Sequence, residues 1–110
     1  MTESRLTQKK CKPCEGGTPA CTLDEARKFL PEVSGWALAA DGKSISRLFT
    51  FKNFVEAMIF ANRVAEVAES EGHHPDIHIS WNKVTLTLWT HAIGGLSEND
   101  FIVAAKINQL

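Results

Sequence analysis

Apolar and polar positions along the chain fall into seven blocks, and the period changes from helical to extended and back. From Thr22 onward, Leu23, Ala26, Phe29 and Leu30 recur at helical spacing, and Thr22 with Glu25 makes a T-x-x-E capping box. Pro31 and Gly35 mark the end of that short helix. Two apolar stretches follow, Trp36 to Ala40 and Ile45 to Phe51, and Asp41-Gly42 between them predicts a hairpin. Asn53 then caps the longest periodic block, about residues 54 to 70. Phe54, Met58, Ala61, Ala65 and Ala68 fall on one stripe of it, widened by Val55, Ile59 and Phe60. Gly72 and Pro75 stop this helix near Ser70. A second hairpin is predicted next. Ile77, Ile79 and Trp81 alternate with polar neighbours, Asn82-Lys83 suits a tight turn, and Val84, Leu86 and Leu88 oppose Thr85, Thr87, Trp89 and His91. Gly94-Gly95 breaks the pattern, and Ser97 with Asp100 opens a last helix through about Gln109.

The order α-β-β-α-β-β-α predicts an α+β fold: a four-stranded antiparallel sheet with three helices on one face. Its open face and edges invite self-association. Residues 1–21 carry no hydrophobic period and are expected to be a flexible leader containing Cys11, Cys14 and Cys21, ahead of a single domain over 22–110.

Composition narrows the function classes. The chain has 110 residues with 12 Lys and Arg against 13 Asp and Glu, so no basic excess supports binding to nucleic acid. Apolar runs reach only about five residues where a membrane span needs ~20, and the start, MTESRLTQKK, has no signal-peptide core, so no membrane association and a cytoplasmic location are expected. Three clustered cysteines are an odd number and one thiol short of a closed zinc site, so neither a disulfide framework nor a metal is expected.

The candidate chemistry is imidazole. His73-His74-Pro75 follows the long helix and His91 ends the alternating strand, and the second hairpin can bring the two places to one end of the sheet. Proline forces His74 towards extended backbone, where neighbouring side chains point apart, so His73 and His74 should not share one job. Several imidazoles without another nucleophile suit general acid–base work near neutral pH. A carboxylate, Glu69, lies four residues before His73, whereas Glu66 and Glu71 read as a solvated helix face and Asp100 as a capping residue.

These residues, taken together, resemble a known family. The string E-S-E-G-H-H-P (Glu69 to Pro75), then Trp81, Thr90-His91, G-G-L-S (Gly94 to Ser97) and Asp100, is similar to the pattern of the pterin-4a-carbinolamine dehydratases. The resemblance spans about residues 22 to 108 and implies the same α+β fold, assembled as a homodimer or homotetramer. It implies loss of water from 4a-hydroxytetrahydropterin to give quinonoid dihydropterin, regenerating the pterin of aromatic amino acid hydroxylases and linking the chain to a phenylalanine hydroxylase. No cofactor or metal is implied. On this reading His74 is the principal pocket histidine, with His73 and His91 flanking the reacting carbon. Glu69, Pro75, Trp81 and Asp100 belong to the substrate site, with Glu69 tuning His73 and Trp81 packing beneath the pterin. Two alternatives stay open: a non-catalytic dimerisation or regulatory protein on the same fold, and an enzyme for another pterin such as one in molybdopterin metabolism.

Overall fold

Helix α1, Leu23–Phe29, begins with both reciprocal hydrogen bonds of the Thr22–Glu25 capping box and tightens into a 3-10 turn at Leu30–Glu32. Strand β1 is only Ala37–Leu38, shorter than its apolar stretch, because Asp41 and Gly42 turn the chain early; Gly42 sits at φ 72°. Strand β2 is Ile45–Thr50 and helix α2 is Phe54–Glu71. The Asn53 side chain caps α2 by accepting the Glu56 N–H, and Gly72, at φ 64°, ends it in the left-handed conformation that glycine adopts without strain. Strands β3, Asp76–Ser80, and β4, Lys83–Leu88, follow, then a 3-10 turn at His91–Ile93 and helix α3, Glu98–Ile107. The computed structural model describes residues 5–12 and 19–110, so Cys14 lies outside the described residues.

The sheet is antiparallel throughout, in the order β1-β2-β4-β3. In its register Ile45 faces Leu88, and Phe49 faces Val84. This row, with Leu86 and Ile79, packs beneath the helices against Ala57, Phe60, Val64, Phe101 and Val103. The alternate row, with Leu48, Thr85 and Thr87, lies on the other face, as a period of two requires. Three helices thus share one core with one face of a four-stranded sheet, as the chain's periodicity predicts.

Three details differ from the sequence reading. The buried stripe of α2 is Ala57, Phe60, Ala61, Val64 and Ala68. Phe54, Val55 and Ile59 instead stay exposed, because the first half of α2 is apolar nearly all round and the sheet covers only one side. The turn of the second hairpin is Trp81-Asn82, not Asn82-Lys83: Ser80 pairs with Lys83, and Trp81 takes a positive φ of 48°. Strand β4 stops at Leu88, and the chain closes a bridge between Thr90 and Gly95 that turns His91 out of the sheet.

The segment expected as a flexible leader also has described structure. Residues Arg5–Gln8 form a 3-10 turn beside α3, and Leu6, 1% exposed, is part of the core. A single leucine in a polar stretch gives no periodic signal, so tertiary packing alone reveals it.

Candidate functional site

The end of α2 and the end of β4 meet over the start of α3, and the cleft between them has a volume of about 480 Å³. His73, His74, Trp89, Thr90 and His91 line it, together with Glu71, Asn99, Cys11 and Lys12. The three histidines picked out by the sequence are therefore gathered in one place.

His73 is the most firmly held of them. Its Nε2 lies 2.5 Å from Asp100 Oδ1, and the two side chains are 12% and 0% exposed. The other oxygen of Asp100 accepts from Thr90 Oγ1 at 2.8 Å and from the Ser97 N–H at 2.9 Å. Ser97 Oγ in turn lies 2.7 Å from Thr90 Oγ1. An ionised carboxylate only accepts hydrogen bonds, so in this contact Nε2 of His73 is the donor. Asp100 is thus both the capping residue expected from S-x-x-D and the partner of His73. The helix cap fixes the carboxylate, and the carboxylate fixes the ring.

His74 differs from its neighbour. Its Nε2 meets Glu69 Oε1 at 2.7 Å, with side chains 61% and 78% exposed. The expectation that Glu69 tunes His73 is therefore corrected: Glu69 reaches His74, because Gly72 reverses the chain and sends the two imidazoles to different partners. His91 is exposed and its ring stacks on Trp89 at 3.8 Å between centroids. Trp89 Nε1 donates towards Asp76 Oδ2 at 3.3 Å, which braces the indole against the first residue of β3.

Four residues expected at the site do not line the cleft themselves: Glu69 and Asp100 reach it only through His74 and His73, and Trp81 and Pro75 form no part of its lining. Trp81 sits at the hairpin turn, at the end of β3 and β4 away from the histidines, because the turn falls one residue earlier than its sequence suggests. Pro75 sits between His74 and β3 without lining the cleft.

The structure also brings in residues that the sequence reading passed over. Glu71, expected on a solvated face, is 3% exposed and bonded to Lys106 at 2.6 Å, with Lys10 at 3.8 Å. Burial pulls its carboxyl upward. Hydrogen bonds from Lys106 and the Cys11 N–H, with the charges of Lys106 and Lys10, outweigh that and hold it below its usual range. The Cys11 thiol is pushed up to about 12, first by burial and then by the Glu71 charge and hydrogen bond, so it stays protonated near neutrality. Thr90, named in the sequence only as part of the Thr90-His91 pair, is the buried hydroxyl that ties the end of β4 to Asp100. Among the described residues, no group of three or more His, Cys, Asp and Glu is placed to hold a metal ion. No helix among them is long and apolar enough to cross a membrane.

Comparison with known proteins points the same way as the cleft. A family model described as pterin 4 alpha carbinolamine dehydratase matches residues 19–110, a span that leaves out Cys11 and Lys12. A Methylococcus capsulatus protein provisionally named a pterin-4-alpha-carbinolamine dehydratase is 48% identical over 110 residues, covering 100% of this chain and 96% of its own. The mitochondrial pterin-4-alpha-carbinolamine dehydratase 2 of Arabidopsis thaliana is 50% identical over 109 residues, covering 96% of this chain and 58% of that longer protein. Among solved structures, a Brucella melitensis protein titled transcriptional coactivator/pterin dehydratase superposes with a TM-score of 0.77 at 34% identity. It covers 82% of this chain and 96% of its own. A pterin dehydratase-like protein described as a RuBisCO assembly factor of the alpha-carboxysome shares the fold, with a TM-score of 0.59 at 22% identity over 68% of this chain and 87% of its own.

Proposed function

This chain belongs to the pterin-4-alpha-carbinolamine dehydratase family, and from that premise we propose that it dehydrates 4a-hydroxytetrahydropterin to quinonoid dihydropterin by histidine acid–base catalysis. The observation that carries the reading is a cleft lined by His73, His74 and His91 in which a buried carboxylate, Asp100, hydrogen-bonds the Nε2 of His73.

The reaction breaks the C4a–O bond and forms C4a=N5. Hydroxide leaves poorly, so an acid must protonate the 4a-oxygen, and a base must remove the proton from N5. His73 is assigned the base: its Nε2–H is committed to Asp100, so Nδ1 is the nitrogen free to accept the N5 proton. His74 is assigned the acid, because its exposure lets it recover a proton from water after each turnover. On this proposal the two proton transfers divide between His73 and His74. His91, stacked on Trp89, supplies a flat wall for the ring and a further polar contact. One proton is given and one taken, and water is the only other product.

In the cell this activity would recycle the pterin of an aromatic amino acid hydroxylase, with phenylalanine hydroxylase the functional partner. A cytoplasmic location and a homodimer or homotetramer belong to the same reading. Turnover on another pterin uses the same groups.

The test generates the substrate in situ with a phenylalanine hydroxylase and follows quinonoid dihydropterin absorbance, with EDTA present. Wild type should outpace the spontaneous reaction. His73→Ala and His74→Ala should each lose about 10²- to 10⁴-fold, the usual worth of one positioned proton-transfer group. A folded wild-type chain that adds nothing to the spontaneous rate would exclude this substrate. A regulatory role, such as the Brucella relative's description as a transcriptional coactivator suggests, would leave partner binding intact in both variants.

A further inference from the structure

We propose that Cys11 and Lys12, carried by the tethered segment 9–12, are a built wall of the substrate cleft and that Asn99 is the positioning residue that holds them there. The proposal rests on the pterin reading of the cleft and adds to it a specificity element from the segment before the conserved-fold domain.

The wall is held by successive polar contacts, each from an element that also builds the histidine site. Lys9 Nζ meets Glu98 Oε2 at 2.5 Å. The Cys11 N–H donates to Glu71 Oε1 at 2.9 Å. Asn99 clamps Lys12 in both directions: its Oδ1 accepts the Lys12 N–H at 3.0 Å and its Nδ2 donates to the Lys12 carbonyl at 2.5 Å. Cys11 Sγ points at the Asn99 carbonyl at 3.7 Å. A primary amide can imitate a strand partner in this way, satisfying both backbone groups of one residue with one side chain. Upstream, the buried Leu6 anchors the segment in the core, and the Lys9 N–H returns to the Leu6 carbonyl.

The position of the clamp gives it a role in binding. Asn99 directly precedes Asp100, and Glu71 lies two residues before His73. The residues that hold the wall therefore sit beside those that hold the reacting imidazole, and Cys11, Lys12 and Asn99 line the cleft with the histidines. A pterin in the cleft meets this wall as well as the imidazoles. A fixed wall binds more tightly than a loose one, because its ordering cost is met before the ligand arrives.

Two readouts test this on the full-length chain. The first is N-ethylmaleimide labelling of Cys11, followed over hours in mildly alkaline buffer because a thiol pushed up to about 12 reacts slowly, then peptide mapping, with and without 7,8-dihydrobiopterin. The second is the KM and kcat of Asn99→Ala and Asn99→Asp beside wild type, with thermal melting to show that each is folded. Dihydrobiopterin should slow Cys11 labelling severalfold. Asn99→Ala should speed labelling in the free protein and lower kcat/KM about tenfold, mainly through KM, since loss of one such clamp is worth about that in binding. Asn99→Asp, which keeps the acceptor and loses the donor, should fall between.

Turnover by wild type, with no protection of Cys11 and an unchanged KM in folded Asn99→Ala, overturns the wall and leaves the dehydratase reading standing. Protection of Cys11 without turnover overturns that reaction and supports the wall. Neither turnover nor protection overturns both. If Asn99→Ala fails to fold, ligand protection of Cys11 in wild type decides the matter by itself.

Discussion

Asp100 shows how much chemistry a single side chain can hold in this fold. It caps α3, accepts from Thr90, and presents its remaining oxygen to His73. Asp100→Asn should cost about 10²-fold or more in kcat, because an amide can offer His73 an N–H and reverse the tautomer, and the same change should destabilise the fold by about 1–3 kcal/mol as a buried network loses charge-assisted bonds. Turnover and urea unfolding on the same preparation separate the two losses. Ser97→Ala is the contrast: the helix loses part of its cap, about 1 kcal/mol, while the Asp100–His73 contact survives, so unfolding should shift more than turnover. At this scale the sequence was legible for the histidines and for the S-x-x-D cap. It pointed Glu69 at His73 and left Asp100 as a cap, so the pairing of carboxylate to imidazole was misplaced. Glu69 is nearer in sequence to His73, yet only the left-handed turn at Gly72 decides that it meets His74.

Among the elements, the last turn of α2 and the first turn of α3 carry the site, and both are tied to residues 9–12. Glu71 is the titrating member of that tie. Its carboxyl in the folded chain lies below the usual 4.5, so between those two values the unfolded chain binds more protons and stability rises with pH. Stability from Glu71 should be complete above about pH 4.5 and disappear as the pH falls through the lower folded value. Melting temperature against pH should therefore show an acid limb that is shallower in Glu71→Gln. Leu6 anchors the same segment from below. Leu6→Ala should cost about 2–4 kcal/mol in urea unfolding, as full burial of a leucine predicts. The seven elements were visible beforehand through capping boxes and period changes. The packing of residues 5–12 was not, because one leucine and three backbone bonds leave no pattern to read.

Across the whole molecule, the question is what covers the apolar surface left outside. Val55 is 64% and Ile59 54% exposed, one turn apart on α2, and Phe54 and Leu48 are also exposed. The sequence placed Phe54 and Met58 on the inner stripe, because a helix apolar on most sides gives no phase until its neighbours are known. In a homodimer or homotetramer this surface offers burial at ~25 cal/mol per Å². Were the proposed homodimer or homotetramer to form through α2, a Val55→Glu, Ile59→Glu double variant would shift the mass measured by light scattering towards the monomer, with the circular dichroism spectrum unchanged, and an unchanged mass would exclude that face.

The contacts holding residues 9–12 also set the order in which the protein can mature. Lys12 and Asn99 are 87 residues apart, and Lys9 and Glu98 are 89 apart, in a chain of 110. On the ribosome residues 9–12 emerge well before Glu98 and Asn99, so they must wait for α3 before these partners exist. Closing so long a loop is also entropically costly, and contacts of high sequence separation form late. The sheet and α2 can assemble while this corner is still open, so the cleft is finished only when residues 9–12 meet the start of α3.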